Sequence, residues 1–92
     1  MEISKMLTLS TAHIKRTTAD WLDSIQNEIV VYPKDEYGWF IYLSTEMFEE
    51  INLMIVPYDL IVCIQFALDN DCLWLCLDRD GEIVDELDQY NW

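Results

Sequence analysis

Cys72-Leu-Trp-Leu-Cys-Leu-Asp78-Arg-Asp-Gly81-Glu-Ile-Val-Asp85 decides how this chain folds. From Cys72 to Leu77 every residue is apolar, with Cys72, Trp74 and Cys76 on one face of a strand and Leu73, Leu75 and Leu77 on the other. Neither face can be left to water, so the run reads as a buried strand. Asp80-Gly81 supplies turn chemistry, because Asp tolerates and Gly favours positive φ. Glu82 to Asp85 is then expected to return as the second strand of a hairpin.

Outward from this stretch, residues 5–10 alternate: Met6, Thr8 and Ser10 face one way, and Leu7 and Leu9 the other, which predicts a half-buried strand. Thr17 or Thr18 is a candidate N-cap, Asp20 suits a first turn, and Trp21, Leu22, Ile25 and Ile29 follow at one-face helical spacing. Residues 29–32 are β-branched and aromatic, and the strand they predict ends at Pro33. After the turn-rich residues 33–38, Trp39, Ile41 and Leu43 share one face of a strand and Phe40 and Tyr42 the other, completing a hairpin. Residues 46–51 read equally as a helical turn or an ordered loop.

Residues 60–68 are predicted as the main helix, opened by Pro57 and Asp59. Leu60-Ile-Val-Cys-Ile-Gln-Phe66 has high β propensity, so a strand competes, but helical length favours the helix. Its outward face carries Ile61, Val62 or Ile64, an excess that calls for cover by residues 44–56 or a homodimer contact. The resulting order is β-α-β-β-α-β-β. It specifies one α+β domain over residues 1–92, with two helices packed on a mainly antiparallel sheet.

A chain of 92 residues with 52% hydrophobic residues, 2 Gly and 2 Pro supports one core and excludes general disorder. No 18-residue uncharged apolar span exists, and the first residues lack the marks of a signal or transit peptide, which predicts a cytoplasmic protein. Cys63, Cys72 and Cys76 read as free core thiols, since Cys72 and Cys76 would stand about 13 Å apart on a strand. One His and no Cys-x-x-Cys give no metal site, and no cofactor is implied.

Charge is regional. Up to Lys34 four acids and four bases cancel, while 14 of the 18 acids lie from Asp35 onward with Arg79 as the lone base, so this region carries the net −13. Such a field repels nucleic acid and anionic membrane and attracts a basic protein surface.

Several patterns together resemble a small domain family of unknown function found in bacteria, plasmids and phages. They are Ser10-Thr11-Ala12-His13-Ile14, Val31-Tyr32-Pro33 followed by Glu36-Tyr37-Gly38-Trp39-Phe40, Phe66-Ala67 in the helix, Cys72-x-Trp74-x-x-Leu77-Asp78-x-Asp80-Gly81, and the ending Tyr90-x-Trp92. The resemblance implies a context of mobile elements, hence an accessory or anti-defence role, and brings no activity or site residues with it.

The residues predict no enzyme. His13 is the single histidine, and no nucleophile, base and oxyanion donors assemble around it in sequence, so a hydrogen-bonded loop histidine is the expectation. Asp78-Arg-Asp80-Gly81-Glu82 resembles the start of a calcium loop, but Gly81 is fourth rather than sixth and Gln89 holds the twelfth position. Two binding roles remain. In one, Asp69, Asp71, Asp78, Asp80, Glu82, Asp85, Glu86 and Asp88 occupy a basic, nucleic-acid-binding surface on a partner protein as phosphates would, making the chain an inhibitory DNA mimic. In the other, Tyr37, Trp39 and Tyr42 form an aromatic interface of an adaptor or operon partner, and the acids serve solubility.

Overall fold

A computed structural model describes residues 1–24, 29–44, 46 and 55–91. In chain order the described elements are β1 (Met6–Ser10), a 3-10 turn (Thr11–His13), α1 (Arg16–Asp23), β2 (Val30–Lys34), β3 (Gly38–Tyr42), α2 (Tyr58–Asp69) and β4 (Trp74–Asp78). The strands form one sheet in the order β1-β4-β3-β2, with β1 parallel to β4 and the other pairs antiparallel. The fold is thus α+β with two helices and a mostly antiparallel sheet. The core gathers Leu9, Ile41, Leu75 and Leu77 from one face of the sheet with Leu22 from α1 and Leu60, Cys63, Ile64 and Ala67 from α2. Alternation along the strands therefore assigns both helices to the same side.

The expected strand over residues 82–85 does not form. β4 lies between β1 and β3, so neither of its edges is free to pair with a returning chain. Gly81 N–H closes a turn on Asp78 C=O at 2.8 Å, and the chain then crosses the outer edge of β1, where Ser10 N–H donates to Glu82 C=O at 2.8 Å. Gly81 is needed here for close approach rather than for positive φ: a Cβ would stand 2.6 Å from the Leu9 carbonyl. Gly38 is forced in the same way, since its Cβ would meet the Leu77 oxygen at 1.6 Å.

α1 begins at Arg16, ahead of the Thr17 or Thr18 cap read from sequence, because its capping group comes from another element. Lys15 at the N-cap makes no side-chain cap bond. Asp59, buried in the first turn of α2, accepts from Lys15 N–H at 2.7 Å and from the Thr18 hydroxyl at 2.8 and 2.7 Å. A carboxylate at a helix N-terminus satisfies orphan N–H groups and opposes the positive end of the dipole. Trp21 and Leu22 are at least half-buried as their spacing implied, but α1 ends at Asp23 with Ser24 N–H on Trp21 C=O, so Ile29 is buried just ahead of β2 rather than on the helix, and Ile25 lies outside the described residues.

α2 forms as predicted, with Leu60, Cys63, Ile64 and Ala67 inward. Ile64 is fully buried, and Ile61 and Val62 are half-buried on the outer side. Both the expected cover by residues 44–56 and the open reading of 46–51 fall mostly outside the described residues. The helix ends with Asp71 in the left-handed region (φ 61°), its N–H on Leu68 C=O at 3.0 Å and Cys72 N–H on Ala67 C=O at 3.0 Å. This is a Schellman closure with Asp where Gly is usual. β2 extends through Pro33 to Lys34, which an edge strand tolerates.

The residues after β4 are tied down by His13, which is 2% exposed. Its Nδ1 lies 2.8 Å from Asp88 C=O and its Nε2 accepts from Val84 N–H at 3.0 Å. The two partners together select the neutral Nδ1–H tautomer. Leu87 is buried between them in sequence, and Tyr90 N–H donates to Ala12 C=O at 2.8 Å.

Asp59→Ala strands the α1 N-terminus and the buried Thr18 hydroxyl, and is expected to lower the free energy of unfolding by about 2–3 kcal/mol in urea titrations. Asp71→Gly relieves the left-handed Asp and should raise it by about 0.5–1 kcal/mol, a gain that would be absent if Asp71 were not in that region.

Candidate functional site

The face of the sheet turned away from the helices is built by register. Met6, Trp74, Tyr42 and Val30 stand in one row across the four strands; Thr8, Cys76, Phe40 and Tyr32 form the next; Ser10, Asp78, Gly38 and Lys34 form the third. Tyr32 is 52% exposed, Val30 46%, Met6 45% and Tyr42 40%, while Trp74 and Phe40 are half-buried. Trp74 sits among the aromatic rings, with Tyr42 edge-on at 5.2 Å and Tyr32 tilted at 6.1 Å between centroids. Contacts of this kind hold rings in place and lower the ordering cost of binding.

The third row is polar and internally closed. The Lys34 ammonium pairs with the Asp78 carboxylate, the one ion pair among the described residues, and lies 5.6 Å over the Phe40 ring. The second Asp78 oxygen accepts from Asp80 N–H at 2.8 Å. The hydrogen bond from Lys34, and next the Asp80 N–H, hold the Asp78 carboxyl below its usual range, and the same bond raises Lys34 above the ordinary lysine value. In the second row burial pushes the Cys76 thiol up, against the opposing pull of Lys34 and Thr8. On the helix side burial, reinforced by Asp59, pushes Cys63 up to about 12. Both therefore stay as thiols at neutral pH, the form that is a poor nucleophile.

Of the aromatic trio read from sequence, only Tyr42 is on this face. Trp39 lies on the opposite side, 9% exposed, with its indole N–H donated to Asp23 Oδ1 at 2.8 Å. Tyr37 is in the β2–β3 turn beneath the Arg79 guanidinium, 4.5 Å from its ring centroid. The sequence reading missed Met6, Val30 and Trp74 as companions of Tyr42. Each strand's alternation showed its own two faces, but their assembly into a single face depends on strand order.

The eight acids are divided among several elements. Asp69 and Asp71 stand at the C-terminal end of α2, ahead of β4, and Asp80 and Glu82 follow β4 at its other end. Five strand residues separate the two sets, about 16 Å of chain. Asp85, Glu86 and Asp88 are exposed beside the 3-10 turn and α2. Asp78 is 9% exposed and already paired.

A cavity of about 450 Å³ between α1 and the β2–β3 turn is lined by Arg16, Asp20, Asp23, Tyr37, Trp39 and Arg79 among others, and holds no His, Cys or Ser. Among the described residues no three His, Cys, Asp or Glu side chains are grouped to hold a metal ion, and no helix is long and apolar enough to cross a membrane.

A family model described as "Family of unknown function (DUF5983) C-terminal domain" matches residues 6–92. No curated protein and no solved structure matches the chain.

Asp78 returns to about 3.9 on unfolding, so its contribution to stability is present above that pH and is lost as pH falls through the lower folded value. Lys34 contributes below about 10.4 and loses its contribution as pH rises through its raised value. Against Lys34→Met, the native chain is expected to lose stability more steeply below about pH 4 and above about pH 10.5, with parallel profiles between about pH 5 and 10. Superimposable acid limbs in pH-dependent melts would show that the pair contributes nothing.

Proposed function

The chain belongs to this family of unknown function, and from the geometry of its open sheet face we propose that it is a non-enzymatic protein-binding module, an adaptor or operon partner whose open face receives a basic protein surface. The proposal is carried by the separation of charge from apolar surface. In a chain of net charge −13, the three rows of the open face contain one carboxylate and one ammonium, and these are paired with each other. Around them stand four exposed large hydrophobic side chains and two half-buried aromatic ones. An apolar, aromatic centre depleted of charge and surrounded by a charged rim is the anatomy of a protein interface.

The acids suit that rim better than a row of mimicked phosphates. A nucleic-acid mimic needs carboxylates closely spaced along one face, since DNA carries a charge about every 1.7 Å of axis. Here the two sets flanking β4 are separated by the length of the strand, and Asp78 is neutralised by Lys34. A second copy is a poor occupant, because it would bring an equal negative field against the first. A basic partner gains on encounter and docks its apolar centre on the rings.

The test compares affinity capture by the native chain, by Val30→Ser/Tyr42→Ser and by Asp80→Lys/Glu82→Lys. Exposed positions tolerate these changes, so all three should melt within a few degrees of one another. The first variant is expected to lose the partner, at about 2 kcal/mol or more, and the second to weaken it mainly at low salt. Full capture by Val30→Ser/Tyr42→Ser, with loss only on charge reversal, would contradict the proposal.

A further inference from the structure

Resting on the protein-binding proposal above, we infer the form of the occupant: an amphipathic helix whose apolar stripe is bordered by Lys and Arg, laid on the open face as a third layer. Strand addition is the competing way to engage a sheet, and both edges oppose it. Leu43 N–H donates to Leu73 C=O, so the odd-numbered residues of β3 turn their backbone groups toward β4. Pro33 pairs opposite Trp39 and therefore faces the outer edge of β2, where it has no N–H to offer. On β1 the outward Ser10 N–H is already taken by Glu82 C=O. Neither edge keeps an unbroken row of donors and acceptors for a guest strand.

The face itself has the dimensions of a helix seat. Four strands about 4.8 Å apart place the outer axes about 14 Å from each other, and five residues at about 3.3 Å make the strands about 16 Å long. A helix with its side chains is about 10–12 Å across. Met6, Trp74, Tyr42 and Val30 give the seat a continuous apolar row from edge to edge. Acids stand beyond both strand ends, Asp71 on one side and Asp35, Glu36 and Asp80 on the other, while the seat is neutral. An apolar stripe bordered by cations meets both conditions, and one bordered by carboxylates fails the second.

The experiment uses two labelled synthetic helices of about 14 residues, one of Leu and Lys and one of Leu and Glu in the same pattern, titrated with the intact chain by fluorescence anisotropy. The Lys helix is expected to bind, to weaken roughly tenfold or more between about 50 and 500 mM salt, and to weaken similarly on Val30→Ser/Tyr42→Ser. The Glu helix is expected not to bind. Equal binding of both helices would overturn the basic border while leaving the open face as a docking surface. Equal binding of the Lys helix to the native chain and to Val30→Ser/Tyr42→Ser would overturn the helix seat, as would no binding at all. The protein-binding proposal itself fails separately, through retained capture by that same variant.

Discussion

The constraint from which the structure follows is the position of β4 in the middle of the sheet. With β1 on one edge and β3 on the other, this strand has no free backbone edge, and its side chains must be accommodated on both faces. Leu75 and Leu77 turn toward the helices and are fully buried. Trp74 and Cys76 turn the other way, among Thr8, Phe40 and Tyr42. The central place of β4 forces glycine at Gly38, where a neighbouring strand passes, and sends the chain after Gly81 over β1 instead of back along the sheet.

One face is closed by a polar lock as well as by apolar packing. Asp59 belongs to α2 but completes the N-terminus of α1, so the two helices are joined by hydrogen bonds as well as by the core. His13 extends the same layer by holding the backbone of Val84 and Asp88. The other face has an ion pair at one end and rings over the rest. An asymmetric sheet of this kind supplies a rigid, apolar platform in a highly charged molecule, which is the physical basis of the proposed binding role.

Much of the fold was legible in the sequence. Period-two alternation separated Leu7 and Leu9 from Met6 and Thr8, and Trp39, Ile41 and Leu43 from Phe40 and Tyr42, as the structure has them. Helical length resolved residues 60–68 against their β propensity. The strand expected after Gly81 failed because local turn chemistry does not reveal whether an edge is available. The α1 cap is not legible locally because Asp59 is remote in sequence, and propensity counts only neighbours. The candidate site is legible in pieces: the sequence marks Tyr42 as an interface residue, but Trp39 does not belong with it, because their alternation puts them on opposite faces. Val30 and Trp74 join Tyr42 only once β4 and β2 are known to flank β3. The acids were visible as a sequence cluster, and their division between the two ends of β4 was not.

In the proposed binding role, partners meet the open aromatic face, with the acidic segments at its border. Site-specific photo-crosslinking in the native host tests it most directly, with benzoylphenylalanine placed at Tyr32 on the face and, separately, at Asp85 in the segment after β4. A specific adduct with a basic protein is expected from Tyr32 and little or none from Asp85. An adduct formed only from Asp85, with Tyr32 silent, would contradict that role.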